Sequence, residues 1–177
     1  IQWQGSLRAT YNKYLHPDVL DYKNPQMWED MQNGKIANLF QFETQVGAVC
    51  IKRTRPTSVA ELGAANAVMR LMGEDGEERP LDRYVRFRNN INEWYKEMNE
   101  AGLTPEEQQV LKEELLSKYG NSVEQEDMMR LVQRPEIANF TLGEANLLRK
   151  AVAKKDAKKI EKMKKRFFEA VDKEESE

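Results

Sequence analysis

The sequence predicts an all-α protein, or nearly so, because helix-start and helix-stop signals punctuate it at short intervals. No segment alternates between polar and apolar residues for long, as the strands of a sheet would. Apolar residues make up 40% and charged residues 33% of the 177 residues. Such a balance is typical of elongated helical proteins with long solvated faces. The length suits one ordinary domain or two small helical lobes.

The first helices are marked by capping residues. Asn24 precedes Pro25 at the first helical position, and Gly34 ends that short helix. Thr57 and the serine after it open a helix predicted to continue as far as Met72. Between these two helices, residues 36–42 form a short apolar segment that fits either a strand or a buried connector.

Three further helices are predicted downstream. Residues 80–102 have apolar residues at helical spacing and indicate one long amphipathic helix. Thr104, followed by proline and by glutamate at the third helical position, opens a capping-box helix that runs to Gly120. Thr141 opens a second capping box and the longest helical stretch, which we expect to reach about Val171.

The acidic segment 73–80 predicts a loop, because it contains two glycines and ends in a proline. We expect it to separate an N-terminal helical lobe, residues 1–72, from a helical lobe, residues 81–177, that carries a long basic helix. The chain begins without methionine and ends in a charged tail. We interpret it as a fragment of a longer protein, with proteolytic maturation as the alternative.

Residue counts exclude several kinds of site. Cys50 is the single cysteine and His16 the single histidine, so neither an internal disulfide nor a cysteine- or histidine-cluster metal site can form. A lone cysteine favours a reducing, cytoplasmic compartment. No apolar run approaches the length of about 18 residues that a membrane-spanning helix needs. The sequence also contains no glycine-rich phosphate loop and no Ser/His/Asp or Cys/His catalytic set.

Positive charge is concentrated near the C-terminus, although the net charge is only −2. Between residues 145 and 166 there are ten basic residues and two acidic ones. A local phosphate-binding site is therefore compatible with an overall neutral chain. The basic residues are Arg149, Lys150, Lys154, Lys155, Lys158, Lys159, Lys162, Lys164, Lys165 and Arg166.

The helix that begins after Thr141 is the candidate binding element. One side carries Leu142, Ala145, Leu148 and Val152 and is expected to pack inward, whereas the other side is cationic. An arginine fork beside lysine point charges suits a triphosphate. The alternative is an ordinary solvated charged face, and composition alone does not name the anion. The cationic side contains Asn146, Arg149, Lys150, Ala153 and Lys154.

A second candidate is residues 125–127, which read QED. Adjacent helical residues point about 100° apart, so its two neighbouring carboxylates are poorly placed to share one metal ion. We expect these residues to be solvated or to cap a helix.

Four elements resemble, in order and approximate spacing, the fingers region of bacterial DNA polymerase III alpha subunits, the C family of DNA polymerases. They are LFQFET at 39–44, Pro56 followed by ANA at 65–67 and Arg70, the segment from YG at 119 to QEDMM at 125–129, and FTLGEANLLRKA at 140–151 with KK at 154–155. This chain departs from the family pattern in the segment after Arg70, at Lys150 and at Ala153. Residues 79–90 are similar to phage-encoded versions of these polymerases, which favours a phage or prophage source.

The resemblance implies an irregular helical fingers domain that binds the incoming deoxynucleoside triphosphate and helps to position the template. On this reading Arg149 and Lys150 are the principal phosphate contacts. Lys154 and Lys155 are supporting contacts, and Arg70 lies near the nucleotide. Gln125 and Glu126 belong to a family motif, but no role is assigned to them.

The resemblance also implies partners. The acidic residues that hold Mg²⁺ for phosphoryl transfer lie in the palm, outside the region that this chain covers. The chain is therefore expected to bind no cofactor and to be inactive alone, and to act with the palm, the primer-template DNA and the nucleotide in the bacterial cytoplasm. The alternative is a standalone helical module whose lysine-rich helix binds nucleic acid or an acidic protein.

Overall fold

The computed structural model describes residues 1–71, 73 and 76–174, with side chains as far as residue 169. Within these residues the protein consists of α-helices and two short 3-10 helices, Pro17–Val19 and Leu116–Lys118, and contains no strand. The all-α prediction is thus confirmed. The α-helices are α1 Leu7–Tyr14, α2 Pro25–Gln32, α3 Gln45–Thr54, α4 Val59–Val68, α5 Pro80–Asn89, α6 Ile91–Glu100, α7 Pro105–Leu115, α8 Gln125–Gln133, α9 Leu142–Ala153 and α10 Ala157–Glu174.

Two compact units make up the chain, Ile1–Asn66 and Ala67–Glu177. The lobes proposed above, with a dividing loop at 73–80, remain a prediction, and Glu74 and Asp75 of that loop lie outside the described residues. None of the helices described here is both long and apolar enough to cross a membrane.

The first unit has its core around α3. Cys50 and Ile51 of α3 are buried together with Trp28 of α2 and Phe42. Gly47 allows α3 to approach the backbone of Phe42, since a Cβ there would lie 2.4 Å from the Phe42 Cα. The Cys50 thiol lies 3.4 Å from the carbonyl oxygen of Ala65 and donates to it. Burial raises the pKa of this thiol to about 11.

Segment 36–42 is a connector and not a strand. It forms successive turns in which the amide of Leu39 donates to Ile36 and that of Phe42 donates to Leu39, at 3.0 and 2.9 Å. Asn38 and Gln41 have left-handed backbone conformations, with φ of 63° and 71°. Such φ values lie outside the β region of backbone conformation, so this apolar run does not form a strand.

Capping residues open the helices where the sequence predicted them. The side chain of Asn24 accepts the amide of Gln26 at 3.0 Å, and that of Ser58 accepts the amide of Glu61 at 3.1 Å. Thr104 forms its predicted capping box at the start of α7. The second of these helices, α4, ends at Val68, short of the predicted Met72, which lies outside the described residues.

Two predicted long helices are each divided. The helix over 80–102 is interrupted at Asn90, whose φ of −147° and ψ of 91° are extended and whose side chain accepts the amide of Asn92 to cap α6. The helix from Thr141 is interrupted after α9, where Lys155 has a φ of 51° and Asp156 accepts the amide of Lys159 at 3.2 Å. In both places a side chain that caps the next helix outcompetes helix continuation.

The second unit contains two hydrophobic clusters. One surrounds Trp94 of α6 and includes Phe87, Met98 and Leu115. The other joins α8, α9 and α10 through Val132, Ala138, Phe140, Ala145 and Met163. The second cluster fixes the helix that carries the candidate site.

The inward side of α9 differs from the predicted one. Ala145 and Ala151 are buried and Leu148 packs against the cluster, whereas Leu142 and Val152 are 64% and 45% exposed. Small alanines let α9 approach its neighbours closely, so the buried stripe is narrower than the apolar residues suggested.

Candidate functional site

The N-terminus of α9 is fixed by a capping box that is also linked to α10. The hydroxyl of Thr141 accepts the amide of Glu144 at 3.2 Å, and the Glu144 carboxylate accepts the amide of Thr141 at 2.8 Å. The other carboxylate oxygen of Glu144 accepts from Arg166 Nε of α10 at 3.0 Å. The bonds from Thr141, together with Arg166, lower the pKa of Glu144. These contacts set the direction in which the α9 side chains point.

Arg149 is half-buried and is held by two amide oxygens. Its Nε donates to Asn146 Oδ1 at 3.1 Å, and its NH1 donates to Gln125 Oε1 at 3.1 Å. Asn146 lies one turn earlier on α9, whereas Gln125 is the first residue of α8. Both acceptors are neutral, so they orient the guanidinium without compensating its charge.

Other arginines of the same unit are held by carboxylates instead. Arg86 contacts three glutamates, at 2.6, 2.7 and 3.0 Å. Arg134 likewise contacts three glutamates, at distances between 2.9 and 3.6 Å. Arg130 and Arg166 pair with acidic residues as well. Within the part of the chain that the structure describes, Arg149 has no carboxylate partner, and this distinguishes it from those four.

The predicted lysines are exposed. Lys150 follows Arg149 on α9, and Lys154, one turn beyond Lys150, is the C-cap of that helix. Lys155 follows in the left-handed conformation that turns the chain towards α10. Among the residues described, none of the three has an ion-pair partner. Arg149 and these lysines therefore form a group of available cations at the C-terminal half of α9, here called the α9 cation group.

The start of α8 is anchored by Asp127, which is fully buried. Its carboxylate accepts the amides of Val123 and Glu124 at 3.1 and 2.9 Å, and it contacts Lys118 and Arg130 at 2.6 Å each. Asp127 is the third residue of α8, and its carboxylate caps the amide of the N-cap residue Glu124. The predicted capping role for this segment is thus confirmed at Asp127, although this residue is buried and not solvated.

Lys118 is the cation on which this anchor depends. Burial lowers the pKa of Lys118, but hydrogen bonds to Asp127 and Glu124 outweigh it, so the pKa is raised overall. Its side chain is only 16% exposed, and its ammonium contacts both carboxylates. A charged lysine paired in this way holds the first turn of α8, and with it Gln125, in place.

Neither Glu126 nor Arg70 forms a hydrogen bond or ion pair with Arg149 among the described residues. Glu126 is exposed on α8. Arg70 is exposed in the turn that follows α4, where its amide donates to Ala67 at 3.2 Å. No hydrogen bond or ion pair among the described residues links Arg70 to α9, and its place near a nucleotide remains a prediction.

The sequence analysis did not predict the contact between Gln125 and Arg149. The family motif pointed to Gln125 without a role, and the two residues are 24 positions apart. Such a contact depends on how α8 and α9 pack, which no local pattern reports.

Chemically, the α9 cation group suits a polyanion. A guanidinium offers planar paired donors and the exposed lysines offer point charges, the combination that binds phosphate oxygens. No three His, Cys, Asp or Glu side chains of the described residues lie close enough together to hold a metal ion. The charges of the α9 cation group are thus of the kind that attracts an anion.

Comparison with known proteins identifies the family. Residues 2–175 match the bacterial DNA polymerase III alpha subunit finger domain. A probable DNA polymerase YorL of Bacillus subtilis (strain 168) and a DNA-directed DNA polymerase of Bacillus phage SPbeta are each 45% identical over 168 residues. The DNA polymerase III subunit alpha of Treponema pallidum is 31% identical over 163 residues.

These matches cover nearly the whole chain but a small part of each relative. They span 95% of this chain and 13% of the two Bacillus proteins, and 92% of this chain and 12% of the Treponema protein. The resemblance found in the four sequence elements, including the similarity to a phage polymerase, is confirmed. The chain belongs to the bacterial DNA polymerase III alpha subunit finger domain family.

Proposed function

We propose that this chain forms the fingers of a DNA-directed DNA polymerase and binds the triphosphate of the incoming deoxynucleotide through the α9 cation group. Arg149 contacts phosphate oxygens directly, Lys150 acts beside it, and Lys154 and Lys155 add positive charge at the end of the helix. Arg70 contributes from the turn after α4, and the chain helps to position the template.

The observation that carries this proposal is the unneutralised guanidinium of Arg149. Both acceptors of this half-buried side chain are neutral amides, so no carboxylate among the described residues compensates its charge. An anionic ligand supplies the missing compensation when it binds. The adjacent lysines have no described partner, so they are available to the same ligand.

The remaining parts of the reaction are assigned to the rest of the polymerase. Phosphoryl transfer uses metal ions that activate the 3′-hydroxyl and offset the leaving charge. In this proposal Mg²⁺ is held by palm carboxylates, and the chain contributes only cations to the phosphates. Its partners are the palm, the primer-template DNA and the nucleotide, in the cytoplasm of a bacterium that carries a phage or prophage. Alone, the chain should show no primer extension.

Single-nucleotide incorporation by the polymerase that contains this chain tests the proposal. Arg149→Ala should lower kcat/KM for the nucleotide roughly ten- to a hundred-fold, because a charge-assisted hydrogen bond contributes about 1.5–3 kcal/mol. Affinity for the primer-template should change little. Lys150→Ala should act in the same direction but less strongly, since an ammonium lacks the planar fork.

Lys164 provides the matched control. It is an exposed lysine of α10 without a described ion-pair partner, and Lys164→Ala removes the same kind of charge away from the α9 cation group. It should alter only the salt dependence slightly. Normal nucleotide kinetics in Arg149→Ala together with damaged kinetics in Lys164→Ala would contradict the proposal. The lysine-rich helix would then be a general surface for nucleic acid or for an acidic protein.

A further inference from the structure

Two neutral side chains from different helices hold the Arg149 guanidinium. Asn146 Oδ1 accepts from Nε and Gln125 Oε1 accepts from NH1, both at 3.1 Å. NH2 and one hydrogen of NH1 have no acceptor among the described residues. The guanidinium is therefore held at Nε and NH1, whereas NH2 keeps its hydrogens available to a ligand.

We propose that Gln125 and Asn146 are positioning residues that act through Arg149, and that their neutrality is the property that matters. This inference rests on the proposed function. A carboxylate in either place would orient Arg149 equally well, but it would also compensate the charge on which phosphate binding depends. Arg86 of the same unit is an arginine whose charge is compensated in this way, because three glutamates contact its guanidinium.

Gln125 has no large structural task of its own. It is exposed at the first position of α8. The packing of α8 against α9 is provided by Val132, Met129 and Ala145 of the hydrophobic cluster. The first turn of α8 is anchored separately by Asp127. Replacement of Gln125 should therefore alter the behaviour of Arg149 without unfolding the unit.

Gln125→Glu is the decisive variant, because it keeps the length and the acceptor oxygen and adds one negative charge. In the polymerase that contains this chain, it should raise KM for the nucleotide on the order of tenfold, as expected when a charged acceptor competes with the ligand. The melting temperature should stay equal or rise, because an ion pair replaces a neutral bond. If Gln125 had only a structural role, a variant with a higher KM would instead have a lower melting temperature.

Gln125→Ala and Asn146→Asp complete the series. Gln125→Ala removes one acceptor but no charge, so KM should rise less than in Gln125→Glu. Asn146→Asp adds a negative charge at the other acceptor of Arg149, on α9, and should raise KM as Gln125→Glu does. It tests the inference even if a variant at position 125 folds poorly. Glu126→Gln is the control, since it changes the charge by one at the neighbouring exposed position. It should leave KM unchanged.

Arg149→Ala distinguishes failure of the proposed function from failure of the positioning role of Gln125 and Asn146. If Arg149→Ala has no kinetic effect, the proposed function fails. If Arg149→Ala weakens nucleotide binding while Gln125→Glu and Asn146→Asp leave KM within about twofold of the wild type, only the present inference fails. Adding Gln125→Glu to Arg149→Ala should cause no further rise in KM. A full additional rise in that background would show that position 125 acts independently of Arg149, and would overturn the inference.

Discussion

Asp127 combines complete burial with four polar contacts, so its replacement by alanine tests how the start of α8 is held. The change removes acceptors from the amides of Val123 and Glu124 and from the ammonium of Lys118. Breaking a buried ion pair by removing one partner costs about 3–5 kcal/mol. Arg130 is 50% exposed and can regain water, so its lost bond adds little. The expected decrease in the free energy of unfolding is therefore about 3 kcal/mol.

Urea unfolding of the chain, followed by far-ultraviolet circular dichroism, measures this decrease. Glu126→Ala is the matched control because Glu126 is the adjacent acidic residue, is exposed, and has no described side-chain partner. Its free energy of unfolding should stay within about 0.5 kcal/mol of the wild type. Asp127→Asn keeps the shape and one acceptor oxygen while losing the charge, so its loss should fall between those of the two alanine variants.

Two results would refute this reasoning. If Asp127→Ala unfolds within about 1 kcal/mol of the wild type, the buried carboxylate does not anchor α8. If Glu126→Ala is equally destabilising, the effect arises from negative charge near the N-terminus of the helix and not from the buried contacts.

Two further predictions concern glycines and pH. Gly120→Ala should destabilise the second unit by about 2–4 kcal/mol, because φ is 73° and the new Cβ would lie 2.3 Å from the Trp94 ring. Gly63 lies in α4, and an added Cβ there would have no atom within 4 Å, so Gly63→Ala should instead raise the free energy of unfolding by about 0.5–1 kcal/mol. Urea unfolding measures both changes. The pKa of Glu144 is lowered from 4.5, so its stabilising contribution is present above about pH 4.5 and is lost as the pH falls through the lower folded value. As the pH falls from neutral to below about pH 4.5, the wild type should therefore lose more stability than Glu144→Gln, measured by urea unfolding at each pH.

Helix starts could be predicted from the sequence because capping is a local interaction. Asn24, Ser58, Thr104 and Thr141 each satisfy amides within the next three residues, so neighbouring residues suffice to identify them. Helix ends within long amphipathic stretches could not be predicted equally well. The apolar pattern continues through Asn90, because the helices on both sides of it bury residues in the same unit.

The buried stripe of α9 depends on its neighbours and not only on its own periodicity. Helical spacing predicted Leu142 and Val152 to face inward, but in the structure Ala145 and Leu148 pack in the cluster shared with α8 and α10, and Ala151 is buried as well. Close packing favours the small residues, and the larger ones remain at the margin. The cationic residues of α9 were identified correctly as exposed or half-buried, since charge alone keeps them away from the core.

The availability of an arginine for a ligand is a property of tertiary structure. On a continuous helix Glu97 would lie about 16 Å along the axis from Arg86. The break at Asn90 lets α6 fold back on α5, so that Glu93 and Glu97 both reach the Arg86 guanidinium. The same kind of chain reversal, between α8 and α9, brings only the neutral amide of Gln125 to Arg149. Two arginines on amphipathic helices thus differ in the compensation of their charge because of what the folded chain places beside them, and a charge count along the sequence cannot tell them apart.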